Sequence, residues 1–213
     1  LHDVKPHVGE EKLRSRLTSF IMRKYSNRFI VHGEKLKEML CSQFNINSEN
    51  VFVIPHGNFD IYNPKKYPKI KQKNHILFFG RIYEYKGLKY LIEAEPKIRN
   101  QIKNFKIVIA GTGENFEKYK KLIKNESSFI IYNKFIDEAL MMRLFQEACM
   151  VVLPYIEASQ SGVIPLAYAF KKPVIATDVG SLSDVVLHNK TGLLIKPGDS
   201  EMLSRSILHL LKN

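Results

Sequence analysis

The chain has 213 residues, 33 Lys+Arg against 21 Asp+Glu and a formal net charge of +12; 45% of residues are hydrophobic and 25% charged. That composition excludes a disordered or collagenous chain and provides for a sizeable core. No apolar run approaches the ~20 residues of a membrane helix, and no secretory leader is visible.

Eight short apolar runs, rich in Ile, Val and Phe, predict strands at Phe29–Val31, Val51–Ile54, Ile76–Phe79, Ile107–Ala110, Phe129–Tyr132, Met150–Leu153, Val174–Ala176 and Leu193–Ile195. Near-continuous apolar runs flanked by Gly, Pro or Asp are how strands of a parallel sheet buried on both faces read. Helical spacing recurs between them: Leu88, Leu91, Ile92 and Ile98; Leu140, Met141, Leu144, Phe145 and Ala148; Val163 to Phe170; Leu203, Ile207, Leu210 and Leu211. Asp137 is the expected N-cap of the second of these, and Asp199 or Ser200 that of the last. Strand and helix alternating at this spacing predict an α/β fold, a Rossmann-like doubly wound parallel sheet. Residues 58–74, with two prolines and Lys65, Lys66, Lys69, Lys71 and Lys73 but no apolar period, read as a linker. The division expected is therefore 1–56, the remnant of a preceding α/β domain, and 57–213, a domain with six strands. Residue 1 is Leu, not Met, which predicts that the natural start is missing. Cys41 and Cys149 read as two buried thiols of a reducing compartment, without a disulfide framework or zinc site.

Open α/β sheets bind ligands outside the carboxyl ends of their strands, so the segments that follow each strand matter most. After the third run comes Gly80-Arg81-Ile82-Tyr83-Glu84-Tyr85-Lys86-Gly87. Arg81 and Lys86 each stand beside a glycine at a strand-to-helix turn, one a planar fork and one a point charge, the natural partners of a pyrophosphate. The Walker pattern is absent, which disfavours a phosphate-loop NTPase. Gly111-Thr112-Gly113-Glu114 is an incomplete dinucleotide fingerprint, read either as a tight turn under a ligand or as plain structure. After Leu153 comes Pro154-Tyr155-Ile156-Glu157-Ala158-Ser159-Gln160-Ser161-Gly162-Val163. Here the amides of Ser161, Gly162 and Val163 open a helix and are free to grip an anion. Glu157 and Gln160 add an acceptor and an amide, and the competing reading is a set of capping residues. Asp178 is expected to cap a helix. His2, His7, His32 and His56 show no metal spacing, so no metal site is expected.

In order and spacing these motifs resemble the retaining GT-B glycosyltransferases of group 1, the family 4-like members. The resemblance rests on Gly-Arg-x4-Lys-Gly, Ala-Gly-x-Gly, Pro-x-x-Glu with its Gly-led helix, Lys172-Pro173-Val174-Ile175-Ala176 and Thr191-Gly192-Leu193-Leu194. Val53-Ile54-Pro55-His56-Gly57 is similar to the family's crossover between domains. The resemblance implies a nucleotide-sugar donor held by the C-terminal domain and transfer with retention to a glycan or lipid-linked acceptor. Arg81 and Lys86 then match the donor-diphosphate pair, and Ser161, Gly162 and Val163 the assisting helix start. Gly80 and Gly111 border the nucleotide, and Tyr132, Phe135 and Ile136 lie where the base is cradled. His2 and Glu157 match catalytic-side residues that face the transferred sugar. The family's Glu-x7-Glu motif departs here: its second acid falls at Leu166 and its first at Ala158, one residue from Glu157.

With three positive sources at the diphosphate, no metal cofactor is expected. Of the 33 cations 25 are Lys. Lys suits diffuse attraction to phosphates or anionic lipid more than base-edge reading, which favours Arg. A cytoplasmic protein with peripheral contact at an anionic inner membrane face, and no nucleic-acid partner, is the expectation. The alternatives are a non-catalytic nucleotide-sugar-binding domain and a sugar-nucleotide epimerase.

Overall fold

The computed structural model describes residues 20–62 and 68–212. His2, Lys65 and Lys66 lie outside the described residues. All eight predicted strands form: β1 Phe29–Val31, β2 Val51–Val53, β3 His75–Phe79, β4 Lys106–Gly111, β5 Phe129–Asn133, β6 Ala148–Leu153, β7 Val174–Thr177 and β8 Gly192–Ile195. Helices among the described residues include α1 Glu34–Phe44, α2 Leu88–Gln101, α3 Glu117–Lys120, α4 Glu138–Glu147, α5 Val163–Ala169 and α6 Ser200–Lys212.

β3 to β8 make one six-stranded sheet in the order β5-β4-β3-β6-β7-β8, every pairing parallel. Both faces are buried, which explains the uninterrupted apolar runs. Alternate residues point to opposite sides. Ile76, Phe78, Ile107, Ile109, Met150, Val152 and Ile175 pack under α2 and α6. Leu77, Val108, Ala110, Val151, Leu153, Val174 and Ala176 pack under α4 and α5. The result is a doubly wound α/β/α sandwich.

Capping follows the polar residues that precede the helices. Asp137 accepts the Leu140 amide at 2.8 Å, and of the two candidates at α6 it is Asp199 that caps, accepting the Met202 amide at 2.8 Å. Each satisfies one orphan N–H of a first turn.

β1 and β2 pair in parallel as a separate two-stranded sheet. With α1 they enclose their own core of Phe29, Val31, Leu36, Leu40 and Val51. α1 touches the larger sheet through Lys35, whose ammonium donates to Asp178 at 3.0 Å and to Ser183 Oγ at 2.6 Å. Asp178 is thus an ion-pair partner across the two units, not a helix cap.

The segment read as a linker is partly docked. Phe59 and Tyr62 pack against the α4–α5 side of the core. The Ile70 amide donates to Gln146 Oε1 at 3.0 Å, and the buried Lys172 reaches Gln72 at 2.8 Å. Both cysteines are free and half-buried rather than fully enclosed; burial raises the Cys149 thiol pKa to about 11.

Candidate functional site

The strand order reverses between β3 and β6. The chain runs outward from β3 through β4 to β5, then returns to set β6 on the other flank of β3. Such a switch point opens a crevice at the carboxyl ends of the two strands. Two segments leave the sheet there, Gly80–Gly87 and Pro154–Gly162, and they are stitched together. The Ile156 amide donates to the Tyr85 carbonyl at 2.8 Å. Gly87, with φ +67, lies so close to the Pro154 carbonyl oxygen that a Cβ there would overlap it. A larger residue at 87 would be strained and would also push the loops apart.

Between these loops and Phe59 lies a cavity of about 330 Å³. Its walls include Arg81, Lys86, Ser161, Gly162, Val163 and Leu166, and none of its described lining residues is a carboxylate. Two cations on the wall of one cavity suit an anion. A larger cavity of about 420 Å³ opens beside Lys171, Lys190 and His209 at the amino ends of β7 and β8, away from the switch point.

Both cations rest on tyrosines. Arg81 donates to Tyr85 Oη at 3.4 Å and lies 5.5 Å from the Tyr83 ring centroid. Lys86 Nζ stands 3.8 Å from the centroid of Tyr155 and 5.1 Å from that of Tyr85. Ser161 Oγ accepts the Val163 amide at 3.3 Å and lies 3.2 Å from Tyr155 Oη. The Val163 amide is therefore engaged within the turn, contrary to the expectation that all three amides face an anion. Those of Ser161 and Gly162 have no intrachain acceptor among the described residues.

The remaining sequence candidates fall elsewhere. Gly80 lines the cavity, but Gly111 does not: it packs against the Gly80 carbonyl. Glu157 is half-buried next to the lining, whereas Ala158 forms part of it. Tyr132 accepts a hydrogen bond from Arg143 at 3.2 Å, Ile136 packs on the core and Phe135 is 83% exposed; none lines the cavity. Tyr85, Tyr155 and Phe59 were not anticipated. A Tyr directly before the cation, and another directly after the strand-ending proline, are the only traces in the sequence. Gln160 lines the wall and is hydrogen-bonded to His56, whose ring stacks on His32 at 4.4 Å.

Residues 73–213 match the family model described as glycosyl transferases group 1. The chain belongs to that family. It is 29% identical over 207 residues to an uncharacterised glycosyltransferase of Methanocaldococcus jannaschii, covering 88% of this chain and 52% of the relative. It is 28% identical over 184 residues to a D-inositol 3-phosphate glycosyltransferase of Arthrobacter, covering 80% and 44%. The chain thus spans about half the length of the curated relatives it matches. Its fold is like that of Anabaena HepE, solved with UDP-glucose, at TM-score 0.77 and 16% identity, over 100% of this chain and 61% of that one. It is also like S. aureus TarM, solved with UDP, at TM-score 0.75 and 22% identity, over 100% and 42%. Among the described residues of this group 1 family member no helix is long and apolar enough to cross a membrane. No group of three or more His, Cys, Asp or Glu there is placed to hold a metal ion.

Proposed function

We propose that the cavity between β3 and β6 binds the diphosphate of a nucleotide-sugar donor, and that the chain is the donor-side part of a retaining glycosyltransferase. The observation that carries this reading is the meeting of Arg81 and Lys86 on one cavity at the switch point.

Transfer breaks the bond between the anomeric carbon and the β-phosphate oxygen and leaves charge on that oxygen. Arg81, Lys86 and the Ser161 and Gly162 amides are fixed donors for the developing charge, the arrangement that lowers such a barrier. The acceptor oxygen bonds to the anomeric carbon on the face the phosphate leaves, and its proton passes to the departing phosphate oxygen. No close carboxylate pair is required, unlike glycoside hydrolysis. These cations make a divalent ion dispensable. Glu157 and His2 are assigned to the sugar side, and Gly80, Gly111, Tyr132, Phe135 and Ile136 to the nucleoside side.

Residues 1–56 are read as the end of an acceptor-side domain. The acceptor is a glycan or a lipid-linked sugar, and the Lys-rich excess suits contact with an anionic cytoplasmic membrane face. The UDP bound by TarM and the UDP-glucose bound by HepE support a uridine donor. A second reading is donor binding without transfer. An epimerase would instead return an isomerised nucleotide sugar without any acceptor.

The test is thermal stability with UDP, GDP, ADP and dTDP, each with and without Mg2+. A ligand at ~100 times its Kd adds about 2.7 kcal/mol to the folded state. Stabilisation by one diphosphate, independent of Mg2+, is the expected result. No shift with any of them would remove the donor reading.

A further inference from the structure

We infer that Tyr155 is a positioning residue for the anion site, holding Lys86 and Ser161 in one fixed arrangement. This deepens the reading of the cavity as a diphosphate site and rests on it.

The Tyr155 backbone is pinned from two directions. Its carbonyl oxygen accepts Thr177 Oγ1, from the end of β7, at 2.7 Å. The next amide, that of Ile156, is bound to the Tyr85 carbonyl of the facing loop. The side chain is 1% exposed. A ring so held is a rigid platform, and both of its functional ends point at cavity-lining groups.

One end is the ring face. Lys86 Nζ lies 3.8 Å from its centroid, and among the described residues no carboxylate pairs with Lys86. The face of an aromatic ring attracts an ammonium without neutralising it. A carboxylate in that place would compete with an incoming phosphate, whereas the ring leaves the full positive charge for it. The contact also restricts a four-carbon stem whose rotamer freedom would otherwise be lost on binding.

The other end is the hydroxyl. Tyr155 Oη and Ser161 Oγ are 3.2 Å apart, and Ser161 Oγ also accepts the Val163 amide. The Ser161 hydroxyl thereby bridges the platform to the first turn of α5. Ser161 and Lys86 both line the cavity. One side chain thus touches both Lys86 and Ser161 and sets the spacing between them.

The experiment is a double-mutant cycle read by calorimetric titration of two probes, UDP and inorganic pyrophosphate. Tyr155→Leu removes the ring face, and Tyr155→Phe removes only the hydroxyl. Tyr155→Leu should weaken both probes about tenfold, the scale of a lost cation–π contact plus a buried hydrogen bond. In a Lys86→Ala background the same change should cost less than about threefold, because the group it positions is gone. Tyr155→Phe should keep the Lys86 share and lose only what Ser161→Ala loses, the two being non-additive. Circular dichroism shows whether each variant is folded, and Tyr155→Phe, which keeps the packing volume, keeps the test open if Tyr155→Leu does not fold. Equal losses from Tyr155→Leu with and without Lys86, or unchanged affinity in both Tyr155 variants, would overturn the positioning role while leaving the diphosphate reading intact. A wild-type chain that binds neither probe would overturn both.

Discussion

Gly111 lies against the carbonyl oxygen of Gly80, with φ +148, so closely that a Cβ on Gly111 would overlap that oxygen. The Gly80 amide in turn donates to the Ala110 carbonyl at 2.9 Å, and the Ile82 amide to Thr112 at 3.0 Å. The pairing of β3 with β4 is thereby carried past the strand ends, and it aims Arg81 at the cavity. Gly111→Ala should destabilise the fold by about 2–4 kcal/mol, from a backbone conformation that L residues rarely adopt plus a clash with backbone. Gly162→Ala is the control: nothing lies within 4 Å of a Cβ there. It should change stability by less than about 0.5 kcal/mol. Urea midpoints of the two variants check this, and equal midpoints would contradict it.

Glu95 is a buried carboxylate on α2. It accepts Ser128 Oγ at 2.6 Å and Arg99 Nε at 3.0 Å. Ser128 stands at the entry to the edge strand β5, so this bond ties the edge of the sheet to a covering helix. Ser128→Ala leaves a buried carboxylate one donor short and should cost about 1–3 kcal/mol. A variant with wild-type stability in denaturant unfolding would show that water supplies the missing donor.

The Lys35–Asp178 pair joins α1 to the segment after β7. Its donor hydrogen bonds, first from Lys35 and then from Ser183, hold the Asp178 carboxyl below its ordinary value of 3.8. A depressed carboxylate stabilises the folded state at pH above its unfolded value and loses that contribution as pH falls through the folded value. Asp178→Asn should therefore be less stable than wild type at neutral pH, with the difference shrinking below pH ~4. Both partners are about half-exposed. The difference should stay below about 1 kcal/mol and fall with added salt. Thermal melts from pH 3 to pH 7 measure it, and a gap that grows on acidification would contradict the assignment.

The sheet was legible because its strands are buried on both faces, so Ile76–Phe79 or Val174–Ala176 reads as a plain apolar run. Asp137 was legible because its cap is a local matter of three residues. α1 was missed: only Leu36 and Leu40 of it are buried, too little for a periodic stripe. Phe59 was missed for a related reason. It packs from a segment with no period of its own, and only tertiary contact brings it to the cavity. Arg81, Lys86 and Ser161 could be named because chemistry and loop position coincide in them. The platform beneath them could not, since Tyr155 meets Lys86 across two loops distant in sequence. Gly111 carried two readings, a tight turn under a ligand or plain structure. Its positive-φ conformation serves the close approach of one strand end to another, a tertiary relationship the motif does not display.

On the proposed function, Arg81 and Lys86 hold a diphosphate in the cavity between β3 and β6. Calorimetric titration of UDP into wild type and Arg81→Ala, at two salt concentrations, decides whether they do. Loss of a charge-assisted donor should weaken binding by about 1.5–3 kcal/mol, roughly 10- to 150-fold. Wild-type affinity should fall only modestly with salt, since a pocket for one diphosphate releases few counterions compared with a nucleic-acid surface. Unchanged affinity in Arg81→Ala would show that Arg81 does not hold the diphosphate. A steep salt dependence would point to a diffuse basic surface instead of a site.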